Sequence, residues 1–495
     1  MNRAERLARL LRILAAIISQ PGLNPLELAD RAGVSDRTLR RDLAQLRDLG
    51  YEVAYTSGYE VQEKLNLEGR SRRKPRAQAD DALLQAVAQA VETAGLWRDT
   101  SPGTSASPRR SARRHSGSHP LVLIPSGEDD TDFIYAAGIG VESALYVRFA
   151  ADDDLIVASA LEIDRVQARS SAARKLSLSE AGYKEAGPFK SSALLAAKLL
   201  RERGLSAARV SPRLQAGYLE ALREAGLEIE IDRTLFEAER RHKTAEDARH
   251  IREAQEAAEA AMTEVMRFLS AAEIRDGMLW INGSPMTSEW LSARASLRLG
   301  EMGYSCPDMI VAGSPENAMP HFRGEGQIRA GAPVIIDIFP VSRSSHHHGD
   351  LTRTVVVGEV PDEIARMHAA VLQALDAGIE SISAGVPARD VHNAVCQVLV
   401  DRGYGTTSPG YEGPDSGPKM NHGTGHGVGL DVHEEPGVRG PNVEPLATGD
   451  VITVEPGLYL MGLGGVRIED TGMVTANGFD DFTTISRSLN PKDYL

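Results

Sequence analysis

The chain has 495 residues, 42% hydrophobic and 25% charged, with a net charge of −14 and two cysteines. That length exceeds one ordinary domain and implies about two to four. No apolar run is long enough to span a membrane, and two cysteines cannot build a disulfide framework, so a protein of the reducing cytoplasm with no membrane partner is expected. The charge is unevenly placed: residues 1–119 hold 20 Lys+Arg against 14 Asp+Glu, a surplus of +6, and the remaining 376 residues carry −20. A basic head on an acidic body points to two tasks in one chain.

The head, residues 1–62, reads as compact and helical. Leu7, Leu10, Leu11, Leu14, Ile17 and Ile18 share one face at helical spacing. Arg9 and Arg12 interrupt this segment, which therefore reads as a buried helix and not as a signal peptide. Pro25 opens a second helix carrying Leu26, Leu28 and Ala29, and Gly33-Val34-Ser35 forms a turn in which Ser35 caps a third. That third helix turns Leu39, Leu43 and Leu46 inward and leaves Arg37, Arg40 and Arg41 off the stripe. Two short strands flanking Ser57-Gly58 complete the unit as a hairpin. The pattern resembles a winged helix-turn-helix of the DeoR type. The resemblance implies DNA as a partner, with Arg37, Arg40 and Arg41 reaching phosphates and guanine edges from the second helix of the motif. A protein-interaction module with a solvated arginine face is the competing reading.

Residues 63–119 read as a linker, rich in Ser, Pro, Gly and Arg and largely disordered, with one short amphipathic helix over 83–97. From 120 to 232 the pattern becomes α/β: strands at 121–124, 144–149, 155–157 and 228–231, and helices at 191–203 and 214–225. No ligand cluster or nucleophile motif occurs there, so a structural or partner-contact role is expected. A long charged helix is predicted from 237 to 272. The final domain follows, with short strands, Gly-rich turns and helices at 362–383 and 388–402.

The chemistry is concentrated in this last third. Asp337, Asp350, His426, Glu455 and Glu469 each occupy a distinctive context. Asp337 ends the apolar run Val334-Ile335-Ile336, Glu455 ends Val451-Ile452-Thr453-Val454, and Glu469 follows Val466-Arg467-Ile468. Taken singly, such acids are usually solvated. An acid at the end of a buried strand, however, costs free energy unless it is paired or bound to a metal. Four converging carboxylates would carry −4, and two divalent cations would remove that repulsion. An oxygen-rich set of this kind favours Mn2+, with Co2+, Fe2+ and Zn2+ as alternatives.

On these residues, 233–495 resemble the pita-bread metallopeptidases, which include aminopeptidase P, prolidase and methionine aminopeptidase. The resemblance implies that Asp337 holds one metal, that Asp350 and Glu469 bridge the pair, and that His426 and Glu455 complete the second. It also implies that His321 contacts substrate, that His433 stabilises the developing oxyanion, and that Glu455 moves the proton. His422 and Arg467 match the proline-directed members of the family. Phe133-Ile134-Tyr135-Ala136-Ala137-Gly138 and Leu161-Glu162-Ile163-Asp164-Arg165 resemble the N-terminal domain of creatinase and aminopeptidase P, which implies a homodimer.

The expected fold is therefore multidomain: a winged helix-turn-helix at 1–62, a linker at 63–119, a creatinase N-terminal-like α/β domain at 120–232 and an α+β pita-bread domain at 233–495. The expected function is a dinuclear metal-dependent exopeptidase acting on Xaa-Pro peptides. The alternative is a transcription regulator that uses the peptidase-like domain as a peptide sensor. Two segments depart from the family pattern. His346-His347-His348, between Asp337 and Asp350, reads as solvated loop, and the Gly/Pro-rich stretch 405–419 reads as a lip of the substrate mouth.

Overall fold

The computed structural model describes residues 119–495 apart from Asp415, together with a few positions of the head. The chain divides into two compact units, Met1–Ser105 and Ala106–Leu495. In the first unit Ile13, Leu28, Ala29, Leu39 and Leu43 are helical and buried. Ile13 is buried although it is not among the residues of the predicted stripe. Strands β1 (Glu52–Tyr55) and β2 (Tyr59–Gln62) pair antiparallel with Val53 opposite Val61. Arg37, Arg40, Arg41 and residues 63–118 lie outside the described residues.

The second unit opens with a six-stranded mixed sheet. Its strands are β3 (Leu121–Leu123), β4 (Ala144–Ala150), β5 (Asp153–Ala158), β6 (Arg174–Ser177), β7 (Ala207–Val210) and β8 (Glu228–Ile231), in the order β6-β5-β4-β3-β7-β8. Both faces are covered, so its central strands read as unbroken apolar runs. Leu145, Val147, Leu155 and Val157 face one core, shared with helices α3 (Lys190–Arg201) and α4 (Ala216–Glu224). Tyr146, Ile156 and Ala158 face the other, shared with α1 (Thr131–Ala137) and α2 (Ile163–Arg169). That second core also takes in Leu430 from the C-terminal domain. Helices α1 and α2 escaped the sequence reading because seven residues are too few to show a 3.6-residue period.

The single helix expected from 237 onward is broken in two. Helix α5 (Glu237–Arg241) ends at His242, and α6 (Ala245–Ser270) starts afresh at Thr244. Thr244 and Asp247 form a reciprocal capping box: the Asp247 amide donates to Thr244 Oγ1 at 3.1 Å and the Thr244 amide to Asp247 Oδ2 at 2.9 Å. The charge pattern is continuous across the break, so only the cap reveals it.

Helix α6 and α7 (Ser288–Glu301) bury Ala258, Ala261, Val265, Leu269, Leu291 and Leu299 against a three-stranded antiparallel sheet, β9 (Ile310–Gly313), β10 (Pro333–Ile338) and β11 (Leu351–Val356). A second core gathers α8 (Asp362–Glu380) and α9 (Ala388–Asp401) against two further sheets. These are built from β12 (Gly405–Thr406), β13 (Lys419–Met420), β14 (Gly425–Gly427), β15 (Glu434–Val438), β16 (Val451–Val454), β17 (Gly457–Leu460), β18 (Gly464–Arg467), β19 (Asp470–Thr475) and β20 (Gly478–Asp481). Their orders are β12-β13-β17-β18 and β15-β14-β16-β19-β20. This α+β arrangement is the pita-bread fold. No helix among the described residues is long and apolar enough to cross a membrane.

Arg353 and Asp470, both fully buried, tie the sheets together at 2.8 Å, and Arg353 also donates to the carbonyls of Glu469 at 2.6 Å and Ser486 at 2.7 Å. Replacing Arg353 by Met leaves the buried Asp470 carboxylate with Arg487 alone and strips the donor from the Glu469 and Ser486 carbonyls. The expected loss is about 3–5 kcal/mol of stability, read as a lower midpoint in urea unfolding of Ala106–Leu495.

Candidate metal centre

Sheet register brings the acids to one place. In β10, Asp337 lies opposite Ile310 on one side and Thr352 on the other. Val454 pairs with Asp470 across β16 and β19, so the residues just beyond, Glu455 and Glu469, leave the two strands at the same end. Two glycines permit the close approach. A Cβ on Gly425 would lie 2.0 Å from the Thr453 carbonyl, so only glycine lets the strand carrying His426 lie this close to β16. A Cβ on Gly349 would lie 2.6 Å from the backbone of α6 at Ala254. There Gln255 closes a reciprocal pair with the Asp350 backbone, donating to its carbonyl at 2.8 Å and accepting from its amide at 2.8 Å.

The ligand atoms of Asp350, His426 and Glu469 all lie within 4.8 Å of one another. His426 Nε2 is 3.6 Å from Asp350 Oδ2 and 3.6 Å from Glu455 Oε1. Asp337 joins them electrostatically: its charge raises the carboxyls of Asp350, Glu455 and Glu469. All five predicted ligands thus converge, and His321, His422, His433 and Arg467 surround them.

Burial and mutual repulsion dominate the electrostatics. Burial, then the charges of Asp337 and Glu455, push Asp350 well above the usual carboxylate range. Burial, then Asp350, Glu455 and Asp337, do the same to Glu469. Glu455 is pushed up to about 7 by burial, with Arg467 opposing and Asp337 reinforcing. His426 is held neutral, down to about 3, by burial and the neighbouring His433. Its contacts to the two carboxylates at 3.6 Å are therefore not ion pairs, and they are too long for hydrogen bonds. His426 Nδ1–H donates to the Gly427 carbonyl at 3.2 Å, which leaves a lone pair on Nε2 facing two carboxylate oxygens. Asp337 Oδ1 is buried with no hydrogen-bond partner. Lone pairs aimed at one another, with an orphaned carboxylate oxygen beside them, need a cation between them. The donor set of four carboxylates and one neutral imidazole fits divalent metal ions.

A hydrogen-bonded chain supports this set. Arg467 Nη2 donates to Asp337 Oδ2 at 2.6 Å, and its Nη1 donates to Tyr459 Oη at 3.0 Å. His422 Nδ1–H donates to the Gly423 carbonyl at 2.7 Å, so Nε2 accepts from the Tyr459 hydroxyl at 2.9 Å. Burial and the Arg467 charge hold His422 neutral, down to about 4, which agrees with that tautomer. Thr352 Oγ1 donates to Glu469 Oε2 at 2.7 Å. Tyr459 and Thr352 were not singled out from sequence. Both stand close to predicted ligands in the chain, Tyr459 four positions after Glu455 and Thr352 two after Asp350, but their roles depend on sheet register. His433 is exposed at the rim, its ring edge-on to His426 with centroids 4.3 Å apart. His321 is also exposed, and its charge is felt at both His422 and His433.

The three-histidine tract is not the solvated loop expected from its composition. His347 is 5% exposed, with Nδ1 on the Ser345 carbonyl at 2.9 Å and Nε2 at 3.2 Å from Asp247 Oδ1. The tract packs against the capped start of α6, which draws it inward.

Comparison with known proteins agrees with the geometry. The fold is the pita-bread fold. Residues 249–476 match the model of metallopeptidase family M24 and residues 9–60 match that of an HTH domain, so the chain carries an M24 domain behind an N-terminal helix-turn-helix. An Xaa-Pro dipeptidase of Pyrococcus horikoshii is 36% identical over 183 residues, which cover 37% of this chain and 48% of that protein. An uncharacterized peptidase of Staphylococcus aureus is 30% identical over 231 residues, 44% of this chain and 61% of the other. The chain spans about half the length of the curated Xaa-Pro dipeptidases it matches. Among solved structures, an Xaa-Pro dipeptidase from Bacillus anthracis superimposes with a TM-score of 0.63 at 25% identity, covering 75% of this chain and 94% of that one. An X-Pro aminopeptidase from Thermotoga maritima gives a TM-score of 0.62 at 21% identity, covering 75% and 96%, and shares the fold.

Cation binding should relieve the buried repulsion. Millimolar Mn2+ is expected to raise the melting temperature of the second unit, by an amount equivalent to about 3 kcal/mol at a hundredfold excess over the dissociation constant. Asp350→Asn should be no less stable than the parent without metal and should lose the Mn2+ response in the same differential scanning measurement.

Proposed function

We propose that the chain is a metal-dependent exopeptidase that hydrolyses the first peptide bond of peptides with proline in second position. The observation that carries this is the buried set Asp337, Asp350, His426, Glu455 and Glu469, with the Nε2 lone pair of His426 facing two carboxylate oxygens. These residues would hold two divalent cations, Mn2+ being favoured. When bound, the cations supply Lewis acidity to the scissile carbonyl and to the attacking water.

The protein's own groups do the rest. Glu455 stands at the strand end beside His426 and is the group placed to take a proton from water and return it to the leaving nitrogen. His433, exposed with its ring edge-on to His426, is assigned to the carbonyl oxygen as negative charge develops. Arg467 fixes one Asp337 oxygen and leaves the other free for a cation. Tyr459 locks Arg467 and His422 in place, and His422 and His321 line the side expected to meet the proline ring. Support for proline direction comes from His422, Arg467 and the likeness to Xaa-Pro dipeptidases.

The helix-turn-helix match at 9–60 favours a second role in DNA binding, with Arg37, Arg40 and Arg41 as the contacting residues. Such a chain would be a peptidase held on DNA or a regulator that senses a peptide.

Purified full-length protein loaded with Mn2+ or Co2+ should cleave Xaa-Pro dipeptides or longer Xaa-Pro peptides and bind two metals by plasma emission analysis. No turnover on any of them would remove the enzymatic reading. Tyr459→Phe should lower activity about 10–100-fold while metal content stays near that of the parent. For the head, capture of genomic fragments should succeed with the parent and fail with the Arg40→Ala, Arg41→Ala double variant. Failure with both would remove the DNA-binding reading.

A further inference from the structure

His433 is bracketed by two acids, Asp431 and Glu434, that are engaged from outside the M24-matched segment. Arg240, at the end of α5 and only 8% exposed, reaches both: its Nη2 is 2.9 Å from Asp431 Oδ2 and also pairs with Glu434. Lys243 Nζ, in the break between α5 and α6, holds the other Glu434 oxygen at 2.8 Å. The middle domain completes the cage. Arg213 grips Asp431 with two donors, Nη2 at 2.8 Å and Nη1 at 3.2 Å, and Thr131 Oγ1, at the start of α1, donates to the same carboxylate at 3.1 Å. Asp132 stands behind Arg240 at 3.7 Å and accepts from Ser211 Oγ at 2.6 Å. Leu430 is buried in the apolar core of the middle domain. The short stretch 430–434 is therefore anchored on both sides of His433, while His433 itself stays exposed.

Ion pairs drawn out of water contribute little net stability but fix geometry, and a loosened loop would leave His433 free to swing. We propose that Arg213 and Arg240 are positioning residues for His433, so that the middle domain forms a working part of the peptidase site. The inference rests on His433 acting on the substrate, as argued above.

Arg240 is unsuited as the first probe, because it is 8% exposed and bridges Asp132, Asp431 and Glu434 at once. Arg213 is half exposed, and Arg213→Ala should keep the fold. On an Xaa-Pro dipeptide, Arg213→Ala should lower kcat about fivefold with KM little changed, as expected for the loss of a contact-mediated coupling, and Arg213→Lys should recover most of it. In a His433→Ala background Arg213→Ala should have no further effect. Hydrogen exchange of residues 429–434 in the metal-free protein should accelerate in Arg213→Ala and not in His433→Ala. An equal loss in both backgrounds, or unchanged exchange, overturns the proposal. Parent-like turnover in His433→Ala would remove the role of His433 on which the proposal stands. In that case the exchange result still judges the clamp by itself.

Discussion

Several carboxylates buried within a few ångströms of each other are the constraint around which the C-terminal domain is arranged. Water cannot screen them, and without counter-charge each holds its neighbours' protons on. The fixed cation Arg467 donates to one oxygen of Asp337, and its charge also favours the ionised forms of Asp350 and Glu455. Burial and mutual repulsion outweigh it and still hold both carboxyls above the usual range. Hydrogen bonds from Thr352 to Glu469 and from Gln255 to the Asp350 backbone orient the acids without neutralising them. A site so arranged is stable in proportion to the cations it holds, and its shape before they arrive is kept by sheet register and by two glycine contacts.

Much of this was legible in the sequence because Asp337, Glu455 and Glu469 sit at the ends of apolar runs. Val334-Ile335-Ile336 and Val451-Ile452-Thr453-Val454 announce buried strands, and an acid directly after either has no neutral explanation. The supporting residues were less visible. Tyr459 matters because β17 runs beside β18 and places its hydroxyl against Arg467. That contact is tertiary and leaves no local pattern. Thr352 gains its role from pairing with Asp337 across two strands. The same limit explains the His346-His347-His348 tract, whose polarity suggested solvent but whose packing partner, the capped start of α6, lies a hundred positions earlier in the chain. The break at His242–Thr244 shows the reverse: a capping box is a local signal, overlooked because the surrounding charge pattern is uniform.

The two ends of the chain obey different rules. The acidic body gathers four carboxylates and one imidazole in a largely buried set whose donors suit small divalent cations. Residues 1–119 carry the surplus positive charge, most of it in the stretch 63–119, and the partner proposed for the helix-turn-helix is a polyanion whose attraction weakens steeply with salt. Ionic strength should therefore act on the two ends unequally, which separates them experimentally without cutting the chain.

The tie between Gln255 and Asp350 spans 95 positions, that between Arg353 and Glu469 spans 116, and that between Thr352 and Glu469 spans 117. Contacts of such range form late, because the loop they close must be ordered before any contact rewards it. The chain emerging from the ribosome thus carries its acids for a long interval as separate, solvated side chains. They come together only when α6 docks and strands β18 and β19, which flank Glu469, are in place. Completion of folding and competence to take up cations are the same event in this protein.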